Sequence, residues 1–176
     1  KDYLRGCRSL LSLPQVRFIL LPILDALHFA HEKGVIHRDI KPANILLSGR
    51  KLDVPLVPKL TDFGVAKVLD ELDDRTATGV LIGTFKFTSP EQIRESKAVD
   101  QRADIYSIGI MLYQLCTGQF PFTGGVQKVL VKHLLEPPEA PDAINPELSP
   151  EISQLIMKCL EKEPDDRFAS CKELSD

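Results

Sequence analysis

The sequence predicts an α+β chain that is mainly helical, with a few short strands near its middle. Three observations point that way. Apolar residues recur at helical spacing in several stretches, from Val16 to Leu27, Ile105 to Cys116, Val126 to Leu135 and Ile152 to Leu160. The strand candidates are short apolar runs, Val35-Ile36, Ile45-Leu46-Leu47 and Leu60, and they flank one polar loop. The 176 residues are 43% hydrophobic and 27% charged. That suits one soluble globular unit burying about 70% of its unfolded surface.

Lys1 to Leu13 reads as a short helix and a loop. Pro14 opens a longer helix, where a missing N–H costs nothing. Val16, Ile19, Leu20, Ile23, Leu24 and Leu27 form one apolar stripe along it. Pro22 falls inside the pattern and is expected to remove one backbone bond and kink the helix. His28 and His31 share a face near its end and read as packing residues or partners of the C-terminal dipole. Gly34 ends the helix just past its C-cap. Ser48 to Pro58 reads as a hairpin-like connection, in which Pro55 and Pro58 argue against regular strand.

Further on, Ile105, Ile108, Met111, Leu112, Leu115 and Cys116 make one helix apolar on most sides, so it is expected to be buried; Gly118 terminates it. Val126 to Leu135 reads as an amphipathic helix, and Pro137 to Pro146 as a proline-rich loop. Ser149-Pro150 caps the next helix, which buries Ile152, Leu155, Ile156, Cys159 and Leu160. Ser170 and Glu173 form a capping box for a last helix.

The chemistry concentrates in Val35 to Gly64. This stretch contains His37-Arg38-Asp39-Ile40-Lys41-Pro42-Ala43-Asn44 and then Thr61-Asp62-Phe63-Gly64. One carboxylate, one amine and one amide fall within a single tight loop, and a second carboxylate follows at a glycine-hinged turn. Phosphoryl transfer needs these residue types, because the migrating group spreads negative charge and the attacking hydroxyl must be oriented. Asp39 can accept the hydroxyl proton. Asn44 and Asp62 offer hard oxygen ligands suited to Mg²⁺. Lys41 can place a positive charge beside the migrating group.

The two strings together resemble the catalytic loop and metal loop of eukaryotic-type protein kinases. The lysine two residues after Asp39 resembles the Ser/Thr-specific pattern, closest to bacterial Ser/Thr kinases. The resemblance implies that residues 1–176 form the larger, mostly helical C-terminal lobe of that fold, with the smaller lobe absent and the last helix truncated. It implies a Ser/Thr protein kinase using ATP and Mg²⁺, or Mn²⁺ in its place. Its partners would be protein substrates, with dimerisation for trans-autophosphorylation. Asp39, Lys41 and Thr84 would be catalytic. Lys41, Asn44 and Asp62 would contact the nucleotide, Asn44 and Asp62 through metal. His37, Arg38, Phe63, Gly64, Glu91, Asp104 and Arg167 would be structural.

Asp62 to Glu91 resembles an activation loop, ending in Ser89-Pro90-Glu91 where the family more often has Ala-Pro-Glu. Thr76 and Thr78 resemble the paired threonines that autophosphorylate in bacterial kinases, and a phosphate there would pair with Arg38. Gly83-Thr84 resembles the element whose threonine contacts the catalytic aspartate and lysine. Phe85-Lys86-Phe87 replaces a more usual proline-x-tyrosine. In the family, Asp104 holds the backbone of the catalytic loop, and Arg167 would pair with Glu91. The family's glycine-rich loop, Val-Ala-Ile-Lys strand and partner glutamate are absent from the sequence. The expectation is therefore that this stretch alone is close to inactive and that turnover belongs to a longer parent chain. The alternative reading is a pseudokinase or scaffold that keeps the fold without turnover.

The formal net charge of −3 implies no bulk attraction to nucleic acid. Cys7, Cys116, Cys159 and Cys171 form no CxxC pair and read as free thiols in a reducing compartment, so a cytoplasmic location is expected. No apolar run is expected to reach membrane-spanning length. The abrupt start at Lys1 and stop at Asp176 read as a piece of something longer, whose other parts would carry any anchor.

Overall fold

The computed structural model describes residues 12–48, 56–63, 84–94 and 99–176. Along them run α1 (Leu13–Glu32), a 3-10 turn (Pro42–Asn44), β1 (Ile45–Ser48), β2 (Val57–Leu60) and a second 3-10 turn (Thr84–Phe87). Then come α2 (Pro90–Arg94), α3 (Arg102–Thr117), α4 (Val126–Leu135), α5 (Pro141–Ile144), α6 (Pro150–Cys159), a 3-10 turn (Pro164–Asp166) and α7 (Cys171–Ser175). The architecture is the mainly helical α+β one, with a single two-stranded sheet among the described residues. The helix and loop expected at the N-terminus fall, up to residue 11, outside the described residues.

The core is built around α3. Ile105, Tyr106, Ile108 and Ile110 are fully buried, and the helix packs on α1, α5, α6 and the Thr84–Phe87 turn. Gly109 permits the contact with α6, since a Cβ there would lie 2.6 Å from the Cys159 Cβ. All six stripe residues of α1 are buried, and the helix also packs on β2 and α7. A smaller cluster of Phe85, Phe122 and Val129 sits beside the main core.

Helix ends follow local chemistry. Ser12 precedes α1, and its N–H donates to Gln15 Oε1 at 2.9 Å. At the far end Gly34 adopts φ +72°, its N–H bonding the His31 carbonyl while Val35 N–H bonds that of Ala30. This is a Schellman ending, and it turns the chain sharply into the polar loop. Gly118 closes α3 in the same left-handed conformation, φ +74°.

Several other expectations are corrected, but Pro22 lies inside α1 as expected, and the helix runs on through it. The carbonyl it leaves without a donor belongs to Phe18, an exposed residue. Val35-Ile36 forms no strand. Pro58 does lie in a strand, paired with Leu47. Thr61 N–H donates to the Asn44 carbonyl, one step beyond the Ile45–Leu60 pair. Hydrogen-bonded pairs alternate from there, so Pro58 takes a non-bonded position and its missing N–H points away from β1. The proline-rich loop contains a helical turn, α5, opened by Pro141. At α7 only half of the capping box forms. Ser170 Oγ accepts from Glu173 N–H, but Glu173 Oε2 accepts from Ala169 N–H rather than Ser170.

The expectation of no membrane-length run also needs correction. At 20 residues and mean hydropathy 1.3, α1 is long and apolar enough to span a bilayer. Its stripe is spent inside the core, with Ile23 and Leu27 fully buried. Cys116, Cys159 and Cys171 are free and buried.

Candidate active site

The loop after α1 is held by one buried carboxylate. Asp104 sits in the first turn of α3, fully buried. Its Oδ2 accepts from His37 N–H at 2.9 Å and its Oδ1 from Arg38 N–H at 2.8 Å. Oδ2 also meets His31 Nε2 at 2.8 Å. Arg38 adopts φ +63°, a left-handed conformation that costs a non-glycine residue about 1–3 kcal/mol. Both ends of Arg38 are tied: Asp104 takes its N–H, and Gln92 Nε2 donates to its carbonyl at 2.9 Å. The strain delivers Asp39 to the next position.

At Asp39 two groups converge. Lys41 Nζ donates to both carboxylate oxygens, at 3.0 and 2.8 Å. Asn44 Nδ2 reaches the Asp39 carbonyl at 2.8 Å and its Oδ2 at 3.2 Å. Asn44 is buried, and the 3-10 turn that carries it is opened by Pro42. A shallow recess beside Asp39 is walled by Arg38, Ile40, Phe87 and Thr88.

His37 joins this loop to the second carboxylate. The ring is fully buried, its Nδ1 accepts from Asp39 N–H at 3.3 Å, and its Nε2 donates to the Thr61 carbonyl at 3.0 Å. The Phe63 ring lies on it at 4.8 Å. Thr61 in turn gives both its N–H and its hydroxyl to the Asn44 carbonyl. Asp62, between Thr61 and Phe63, is exposed and held in a left-handed conformation, φ +56°. Asn44 and Asp62 are thus neighbours through the backbone. A buried amide and an exposed carboxylate are the hard, partial donor set that Mg²⁺ accepts when phosphates and water complete its shell. Among the described residues no cluster of three or more His, Cys, Asp or Glu side chains forms a metal cage.

Arg167 and Glu91 lie away from this loop. Arg167 Nη1 and Nη2 donate to Glu91 Oε1 and Oε2 at 2.7 and 2.8 Å. The other donors reach the carbonyls of Arg102, Glu161 and Lys162, so every guanidinium N–H is used. The Tyr106 ring lies 4.9 Å beneath. Gly64, Thr76, Thr78 and the Thr84 side chain lie outside the described residues.

Sequence reasoning missed two residues. His31 was expected to pack or to serve the helix dipole, but it bonds Asp104. It falls four residues after Leu27, on the buried stripe, and a polar group there needs a partner. Gln92 stands three residues after Ser89, the spacing of a capping box, and its Oε1 accepts from Ser89 N–H at 3.1 Å. That leaves its Nε2 aimed at Arg38.

The protein kinase domain family matches residues 1–176. The chain is 42% identical over 153 residues to the serine/threonine-protein kinase Pkn1 of Myxococcus xanthus, covering 86% of this chain and 22% of that protein. It is 38% identical over 158 residues to the serine/threonine-protein kinase PknB of Mycobacterium tuberculosis, covering 89% and 24%. The chain therefore spans about a quarter of the length of these curated relatives. Its fold resembles the crystal structure of the Mycobacterium tuberculosis PknI kinase domain, a double mutant, with TM-score 0.69 and 26% identity over 98% of this chain and 57% of that one. The chain belongs to the protein kinase domain family.

Proposed function

We propose that the protein containing this chain transfers the terminal phosphoryl group of ATP to serine or threonine hydroxyls of proteins. The observation that carries the reading is the convergence of Lys41 and Asn44 on the Asp39 carboxylate, in a loop clamped from below by Asp104. Asp39 accepts the proton of the incoming hydroxyl. Lys41 holds that carboxylate in place, and offers its positive charge to the phosphoryl group as it moves. Asn44 donates through its Nδ2 to Asp39, and its Oδ1 is the proposed ligand atom, with Asp62 supplying the second oxygen donor. Bound magnesium would neutralise the phosphate charge. The recess walled by Arg38, Ile40, Phe87 and Thr88 is the place for the acceptor segment. The glycine-rich loop and strand lysine of the family are not in these 176 residues. Full turnover is therefore assigned to the protein in which they accompany this chain.

The test is transfer from radiolabelled ATP with Mg²⁺ to a generic Ser/Thr protein substrate, with Asp39→Asn as the control. Incorporation on serine or threonine that the variant loses is expected. Nucleotide binding without incorporation in the unmodified protein would favour the scaffold reading.

A further inference from the structure

Two adjacent side chains of α2 reach different parts of the molecule. Glu91 takes both arms of the Arg167 guanidinium, at 2.7 and 2.8 Å, which fixes the short helix against the loop after α6. Gln92 donates from Nε2 to the Arg38 carbonyl at 2.9 Å, 54 residues back in the chain. The other end of its amide is engaged at home. Gln92 Oε1 accepts from the N–H and the hydroxyl of Ser89, each at 3.1 Å, and Ser89 is fully buried. With Oε1 committed to this cap, the amide presents its Nε2 to Arg38.

The Arg38 carbonyl shares a rigid peptide plane with the N–H of Asp39. That plane is held at two points. Asp39 N–H meets His37 Nδ1 at 3.3 Å, and the Gln92 bond is the shorter of the two. We infer that Gln92 is a positioning residue for the phosphoryl transfer proposed above, an inference that rests on that reading. Its Nε2 sets the Arg38–Asp39 peptide plane, and through it the aim of the Asp39 carboxylate at the incoming hydroxyl. The bond lies on an exposed side of the loop, so water replaces the donor when it is removed, and the fold loses little. The peptide plane is then free to turn, and a misplaced reacting group lowers the rate by up to about 10²-fold. A residue that only capped α2 would behave in the opposite way, losing stability and keeping the rate.

The two roles sit on the two ends of one amide, so two substitutions separate them. Gln92→Glu keeps an acceptor for Ser89 and removes the donor to Arg38. Gln92→Lys keeps a donor and removes the acceptor. The experiment measures transfer from radiolabelled ATP with Mg²⁺ to a generic Ser/Thr protein substrate, by the protein containing this chain, beside its thermal midpoint. Gln92→Glu is expected to lower kcat about ten- to a hundredfold, with KM for ATP within about twofold of the parent and a midpoint close to the parent's. Gln92→Lys is expected to melt lower yet turn over faster than Gln92→Glu. Hydrogen exchange over residues 37–44 should quicken in Gln92→Glu and change less in Gln92→Lys. A kcat that follows the thermal midpoint across the two variants instead of the donor would overturn the inference. So would transfer by Gln92→Glu within about twofold of the parent. No transfer by the unmodified protein would instead sink the proposed function, and this role would fall with it.

Discussion

His31 and Asp104, 73 residues apart in the chain, meet through one buried contact of 2.8 Å, with 6% and 0% of their side chains exposed. The contact ties the end of α1 to the start of α3 at the carboxylate that grips the His37–Arg38 backbone. One Asp104 oxygen therefore serves both the helix that enters the loop and the backbone of the loop itself.

Replacing His31 with Ala should leave Asp104 buried with one partner fewer, a loss of about 1–3 kcal/mol. The expected result is a lower thermal midpoint together with a lower kcat, because Arg38 and Asp39 are positioned through Asp104. His31→Asn, which can still donate, should recover part of both. A His31→Ala protein with unchanged melting and turnover would show that the contact carries nothing.

Asp39→Asn keeps the shape of the side chain and removes the proposed base. Folding should be intact by circular dichroism, while phosphoryl transfer falls about 10²–10⁴-fold, the usual worth of a positioned base. Retained turnover would contradict the role given to this residue.

Arg167→Ala strands Glu91, which is 12% exposed, and empties five donor positions. The loss should be about 3–5 kcal/mol. Arg167→Lys should recover little of it, since an ammonium cannot reproduce the bidentate fork. Urea midpoints of the two variants against the parent decide this.

Acid should weaken the fold through His133. Its ring is fully buried, with Nδ1 2.8 Å from the Tyr106 hydroxyl and Nε2 without a partner. Burial, then the Lys162 charge, push it down from its ordinary 6.5 to about 3. Below pH 6.5 the unfolded chain binds a proton that the folded one refuses. Stability from this group is thus complete above pH 6.5 and is lost progressively as pH falls toward 3. His133→Asn should flatten that part of the stability–pH curve relative to the parent. An identical slope between pH 6.5 and 4 would refute the assignment.

Gly109→Ala should cost about 1–3 kcal/mol by forcing α3 and α6 apart at Cys159. Thermal denaturation of the variant measures it.

Much of this protein was legible in one dimension. The α1 stripe, the buried run of α3, the bounds of α4, the cap of α6 and both left-handed glycines are local signals, read from spacing of three to four residues and from backbone sterics. The grouping of Asp39, Lys41 and Asn44 is also local, since six consecutive residues hold all three. Other features had no local signal. Pro58 in a strand depends on which of its edges faces β1, a matter of register. The shared carboxylate at Asp104 and the Gln92 hold on Arg38 join residues tens of positions apart. Sequence periodicity determines which side of a helix seeks the core. Only packing decides which distant polar group waits there, because a buried donor is satisfied by whatever the fold brings within 3 Å of it.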